Sequence, residues 1–198
     1  MNETNIQTFG YTEMYEWKET PEHKDRLGRF MTFDKSEKSK VKFAKDSDYI
    51  IGVSSVCAIE TSDDPDEWKY AYLCNEYGDL YLQKERLAVG AKQYDQMMEM
   101  NYIRTYPWEH FVRIPNKYFD ENQQYVKRSN RPEWVRVTLV GKAIVKDNGK
   151  CKPGTFCSPY NGKIKDLHGT AVESGKYSKN KFYVIDRLSE NTILVLIK

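Results

Sequence analysis

Several features that commonly announce a function are missing from this sequence. No apolar run approaches the roughly 18 residues of a membrane-spanning helix, and the polar start from Met1 to Gln7 has neither a basic leader nor an apolar segment behind it. A soluble domain made in a cytoplasm, with no membrane partner, is therefore expected. Charge of one sign is lacking too: 31 basic and 29 acidic residues leave a formal charge of +2, without the excess that marks a nucleic-acid surface. Cys57, Cys74, Cys151 and Cys157 contain no C-x-x-C pair, which excludes zinc ribbons and common redox motifs. They read chiefly as small buried hydrophobes that stay reduced, although Cys151 and Cys157 are close enough to meet across a hairpin. His23, His110 and His168 are scattered without a ligand spacing, so no metal is expected. Neither common phosphate-loop pattern occurs, and no cofactor is expected. Repeats and heptads are absent, so the chain does not encode a fibrous shaft.

What is present is a chain of 198 residues with 14% aromatics, among them 15 tyrosines. That length suits one domain, or one domain with a large excursion. β-Branched and aromatic runs bounded by turn residues predict strands at Arg29–Asp34 and Tyr49–Ile59. Asn75-Glu76-Tyr77-Gly78-Asp79 predicts a hairpin around Gly78. From Val135 to Val145 apolar residues alternate up to a turn at Asp147-Asn148-Gly149, and 181–186 with 192–197 form another strand pair. Residues 84–121 follow neither period cleanly and read as an irregular excursion, with a short helix suggested by Tyr94, Met97 and Met98. The fold class expected is mainly β with a few short helices (α+β): a β-rich C-terminal core carrying that excursion.

Two clusters outside the strands have competing readings. Arg128, Arg131, Glu133 and Trp134 form either a salt-bridged corner, which Pro132 favours, or a phosphate- or carboxylate-binding grip. Asp63, Asp64, Asp66 and Glu67 lack the spacing of a calcium loop and read as a solvated turn.

Six segments in order carry a resemblance. They are Tyr11-x-Glu13-x-Tyr15-Glu16-Trp17, Asp25-Arg26-Leu27-Gly28-x-Phe30-x-Thr32-Phe33-Asp34, Ile50-Ile51-Gly52-Val53-Ser54, Arg128-x-x-Arg131-Pro132-Glu133-Trp134, Val140-Gly141-Lys142 with Asp147-x-Gly149-x-Cys151, and Asn191-x-Ile193-x-Val195-Leu196-Ile197-Lys198. Together they resemble the C-terminal intramolecular chaperone and autoproteolytic domain of phage tailspikes and neck appendages, classed among the glutamic peptidases. The resemblance implies residues 1–10 as a junction and 11–198 as the chaperone domain. It also implies a homotrimer, with an upstream β-helical fibre of the same polypeptide as partner. Such a domain would act in the host cytoplasm during virion assembly, aligning the fibre and then cutting itself off.

A self-cleaving bond needs a nearby group that activates water or protonates the leaving amine. Glu13 matches the family's motif, just past a junction expected near Phe9-Gly10, and Glu16 is the weaker assistant. Tyr11, Tyr15 and Trp17 are expected to desolvate these carboxyls, the direction a general acid requires. Equally, Tyr11, Glu13 and Tyr15 alternate as they would on an ordinary strand. Thr8 and Thr12 are hydroxyl candidates with nothing visible to activate them. The chain departs from the family where Gly10 stands for a usual acid and Phe9 for a small polar residue, which removes a possible partner of Glu13. Three readings remain: a single-turnover self-cleaving endopeptidase, a retained fibre-tip module that binds receptor or glycan, and a trimerisation cap that does not cut.

Overall fold

The structure, a computed structural model, describes residues 10–22, 25–56, 60–68, 70–86 and 109–198. Two compact units emerge, Met1–Asp64 with Val126–Lys198, and Pro65–Tyr125.

The first unit is built around one long strand. Its strands are β1 (Gly10–Trp17), β2 (Phe30–Phe33), β3 (Lys40–Phe43), β4 (Gly52–Ser55), β5 (Glu60–Ser62), β8 (Trp134–Lys146), β9 (Phe156–Pro159), β10 (Ala171–Glu173), β11 (Phe182–Ser189) and β12 (Thr192–Ile197). The 13-residue β8 pairs antiparallel with β1, β4 and β12. Because β1 also pairs with β3, β3 with β2 and β2 with β4, the strands β1, β3, β2, β4 and β8 close into a ring. A closed ring leaves no unpaired backbone edge at the closure. Trp17, Met31, Val41, Val135 and Val137 form one buried cluster, with Tyr15, Phe43, Ile51 and Leu139 packed against it. Full burial of such side chains is worth roughly 1.5–3 kcal/mol each, and it fixes which face of β1 and β8 turns inward.

A second cluster joins Phe30 and Val53 to Ala143, Val145, Val184, Ile193 and Val195, and it includes Cys151 and Cys157. Both cysteines are free thiols in full burial, so the expected reading as small hydrophobes holds for this pair. Cys74 is a free thiol but exposed, and Cys57 lies outside the described residues. The β-rich C-terminal core is present, but its sheet also takes in the N-terminal strands. The β11–β12 hairpin forms where the alternating pattern places it.

In the second unit Asn75 accepts the Gly78 N–H on its backbone carbonyl at 3.1 Å, and Gly78 has φ +89°, so the hairpin turn uses glycine where a side chain would be strained. Strand β6 (Leu82–Arg86) pairs antiparallel with β7 (Glu109–Arg113). These strands fall partly within the 84–121 segment read as an excursion; the suggested helix at Tyr94, Met97 and Met98 lies outside the described residues. The few short helices otherwise expected are not α-helices. Among the described residues the helical segments are short 3-10 turns such as Arg128–Asn130 and Lys165–Leu167, because polar, Pro- and Gly-punctuated connections are too brief to propagate an α-helix.

Candidate functional site

Strand β1 starts at Gly10, one of the two residues expected at the junction. Gly10 is buried and faces Gly141 of β8. A Cβ on Gly10 would lie 2.5 Å from Thr138 Cγ2 and 2.9 Å from the Val140 carbonyl oxygen. The backbone is thus pressed flat against β8 at a place where no side chain fits without a shift. Phe9 and Thr8 lie outside the described residues.

Three residues along, alternation brings Tyr11, Glu13 and Tyr15 to one side of β1. The Tyr15 hydroxyl donates to Glu13 Oε2 at 2.6 Å and the Tyr11 hydroxyl to Glu13 Oε1 at 3.0 Å. Each carboxylate oxygen is therefore held by its own phenol. This differs from the expected role of the aromatics, since they act as hydrogen-bond donors rather than merely as a dry wall. Two donors on two oxygens fix the direction of the Glu13 carboxylate. Tyr15 is half-buried, and its phenol is pushed well above the ordinary tyrosine range by burial first, then by its bond to Glu13 and the charge of that group, with Tyr11 and Asp63 adding to the effect. It therefore stays protonated and remains a donor. The ring is steadied by Phe33, edge-on at 5.6 Å.

Glu16 does not share this arrangement. Its Oε1 lies 3.0 Å from Lys40 Nζ, and Lys40 in turn pairs with Glu37 at 3.1 Å. That is a surface ion network of the kind that orders a strand edge, worth little individually. Thr12 is buried and its hydroxyl bonds to the Glu60 carbonyl and Thr61 Oγ1, both at 3.0 Å, which ties it into the β1–β5 pairing.

The sequence profile of the family described as "Peptidase_G2, IMC autoproteolytic cleavage domain" matches residues 2–187. The chain belongs to that family. Among its relatives, the preneck appendage protein of Bacillus phage PZA is 29% identical over 160 residues, covering 79% of this chain and 16% of that protein. The pre-neck appendage protein of Bacillus phage phi29 is 28% identical over 151 residues, with 74% and 16% covered. The chain thus spans about a sixth of the length of these relatives. Among solved structures, the pre-mature bacteriophage phi29 gene product 12 superposes with a TM-score of 0.67 at 23% identity, over 96% of this chain and 22% of that one. A C-terminal fragment of the same gene product gives 0.60, covering 95% of this chain and 99% of the fragment. These two likenesses establish a shared fold.

The arginines read as a corner or a grip also have places in this autoproteolytic-domain fold. Arg128 stacks on the Trp134 ring at 4.0 Å, donates to the Asp63 carbonyl at 2.9 Å and forms an ion pair with Asp63 Oδ2. Arg131 lies 5.3 Å over the same ring and 3.6 Å from Glu133. It also lines a cavity of about 350 Å³ with Met14, Arg26, Trp134 and Arg136. The internal partners of Arg128 fit the corner reading. In the cluster read as a solvated turn, Asp63, Asp66 and Glu67 are exposed, while Asp64 Oδ1 accepts the Ser129 N–H at 3.1 Å. His168 accompanies the Gly162 carbonyl at 3.2 Å, whereas His23 and the side chain of His110 lie outside the described residues. Among the described residues no group of three or more His, Cys, Asp or Glu side chains could hold a metal.

Proposed function

We propose that this chain is the C-terminal intramolecular chaperone of a phage appendage or tailspike precursor. It promotes trimerisation and folding of an upstream fibre in the host cytoplasm, then releases itself by hydrolysing one peptide bond near Phe9-Gly10. The observation that carries this reading is Glu13, held at both oxygens by Tyr11 and Tyr15 only three residues beyond a junction pinned flat on β8. Membership in the autoproteolytic family supports the reaction class, and the phage appendage relatives support the setting.

In this mechanism the Glu13 carboxylate takes a proton from water as the oxygen attacks the carbonyl carbon of the residue before the cut. The same proton passes to the departing amide nitrogen, and the C–N bond breaks to leave a carboxyl group upstream and an amine on the domain. Placement in cis supplies the proximity that an ordinary peptidase obtains by binding. A domain that trimerises first raises the effective concentration of the three fibre strands before costly non-local pairing begins.

The test fuses residues 1–198 behind their natural upstream residues and follows mass with time. A single cut near Gly10 that disappears in Glu13→Gln is expected, with loss of at least about a hundredfold in rate. An uncut wild-type fusion that still assembles as a trimer overturns the peptidase part and leaves the chaperone part. A second reading, a retained tip that binds glycan or receptor, rests on exposed Tyr70, Tyr77 and Tyr118 in the Pro65–Tyr125 unit, since open aromatic faces stack on sugars.

A further inference from the structure

We infer that Tyr15 and Tyr11 divide the work at Glu13: Tyr15 is a positioning residue that anchors Oε2, and Oε1, on the junction side, is the oxygen that carries the proton. The inference rests on the self-cleaving reading above and goes beyond it by naming the working oxygen and the side chain that aims it.

The order of residues on β1 sets the two sides apart. Side chains at alternate positions share one face of a strand and lie roughly 6–7 Å apart along it, so Tyr11 sits between Glu13 and Gly10 while Tyr15 sits beyond Glu13. The phenol on the junction side bonds Oε1 at 3.0 Å, and the phenol on the far side bonds Oε2 at 2.6 Å. Oε1 is therefore the oxygen turned toward the expected cut.

The surroundings of the two rings differ in the same sense. Tyr15 packs against the buried cluster of Trp17, Met31, Val41, Val135 and Val137 and meets Phe33 edge-on at 5.6 Å. Tyr11, by contrast, is 39% exposed. A phenol fixed by packing gives up little freedom when it bonds a carboxylate, and it holds that carboxylate in one direction. A bond made at the surface competes with water, and its loss is largely made good by water. Each carboxylate oxygen has room for two donors, so Oε1 accepts a water beside the Tyr11 hydroxyl. That water loses its proton to Oε1 as its oxygen joins the carbonyl carbon, and the same proton leaves with the amine when the C–N bond breaks.

Tyr15 serves in this way only as a neutral phenol. Its charged and titratable neighbours are Glu13, Tyr11 and, as the smallest influence, Asp63, and together with burial they oppose its ionisation. Phe33 and the buried cluster, which pack on it from the other strands, carry no charge. As a phenolate it would have no proton to give and would repel the carboxylate.

The experiment compares Tyr15→Phe, Tyr11→Phe and Glu13→Gln with wild type in the fusion bearing the natural upstream residues, below the melting temperature of each variant. Phenylalanine keeps the ring and its contacts, so only the hydroxyl is lost. Tyr15→Phe is expected to slow self-cleavage by roughly tenfold or more, and Tyr11→Phe by less than about threefold. Equal slowing, or the reverse order, overturns the division of work. To separate positioning from packing, difluorotyrosine, whose phenol titrates at lower pH than tyrosine, is placed at Tyr15. The rate is expected to fall as its fluorine signal reports ionisation, at a pH where wild type still cuts; a rate that holds while the signal moves overturns the proposal. If the wild-type fusion does not cut, the self-cleaving reading fails separately. Tyr15 is then judged on the uncut fusion by the carboxyl carbon resonance of Glu13, identified by its absence in Glu13→Gln. A larger displacement of that resonance in Tyr15→Phe than in Tyr11→Phe supports the positioning role, and an equal or smaller one overturns it.

Discussion

At the scale of single residues, Gly10 matters through the space it does not fill. Its absent Cβ would sit 2.5 Å from Thr138 Cγ2 and 2.9 Å from the Val140 oxygen, closer than real contacts allow, so even alanine must push β1 off β8. Overpacking of this kind costs about 1–3 kcal/mol. Gly10→Ala is therefore expected to lower stability to denaturant by that order, and adding Thr138→Ser, which deletes the nearer carbon, to restore part of it. Gly10→Asp, which places the family's usual acid at the junction, is expected to weaken the domain without speeding self-cleavage. An Asp variant that is stable and cuts faster would show that β8 yields here and that the acid belongs at position 10. The sequence singled out Glu13 by its motif, and the alternation of β1 put Tyr11 and Tyr15 on its side of the strand, where the structure has them. What alternation could not reveal is that those phenols donate to the two carboxylate oxygens, since a rotamer choice decides it.

Single elements show why some strands were readable and others were not. Strand β12 alternates buried apolar residues with half-buried ones along its length, and β8 does so toward both of its ends, and that period is the physical requirement of a half-buried strand. β5 is only Glu-Thr-Ser and β9 ends in a proline, so neither carries a hydrophobic pattern, and both owe their pairing to neighbours brought by the rest of the sheet. The β2–β3 connection is held by a carboxylate. Asp34 accepts from the Ser36 N–H at 2.8 Å, the Ser36 hydroxyl at 2.5 Å, the Glu37 N–H at 3.1 Å and Lys42 Nζ at 2.9 Å. The Lys42 and Ser36 bonds hold its carboxyl far below the usual carboxylate range, against a smaller opposing effect of burial. A carboxyl depressed in the folded state stabilises at pH values above its unfolded value of about 3.9 and loses that contribution as pH falls through the folded value. The melting temperature of wild type should thus fall more steeply below about pH 4 than that of Asp34→Asn. At neutral pH the variant should melt lower, with the two curves converging in acid; parallel curves would show that Asp34 does not set the turn.

For the whole molecule, the decisive geometry is where the chain leaves the first unit and returns to it. Asp63 and Asp64 on the way out are bonded to Arg128 and Ser129 on the way back, so the two ends of the intervening segment are already neighbours within the first unit. The segment is likewise tied at its own ends, since the Tyr125 hydroxyl donates to the Pro65 carbonyl at 2.5 Å and Trp68 packs edge-on to Tyr125 at 5.1 Å. Loop-closure cost rises only slowly with length, and a short Gly/Ser link between Asp64 and Val126 would close a gap that is already bridged by hydrogen bonds. Replacing Pro65–Tyr125 by such a link should therefore leave a cooperative thermal transition with the β-rich circular-dichroism spectrum of the first unit, and the fused variant should still cut near Gly10, because Tyr11, Glu13 and Tyr15 all remain. Any saccharide binding, by contrast, should vanish with Tyr70, Tyr77 and Tyr118. A variant that folds but no longer cuts would place part of the cleavage machinery in the excised segment, and one that keeps saccharide binding would move the recognition surface onto the first unit.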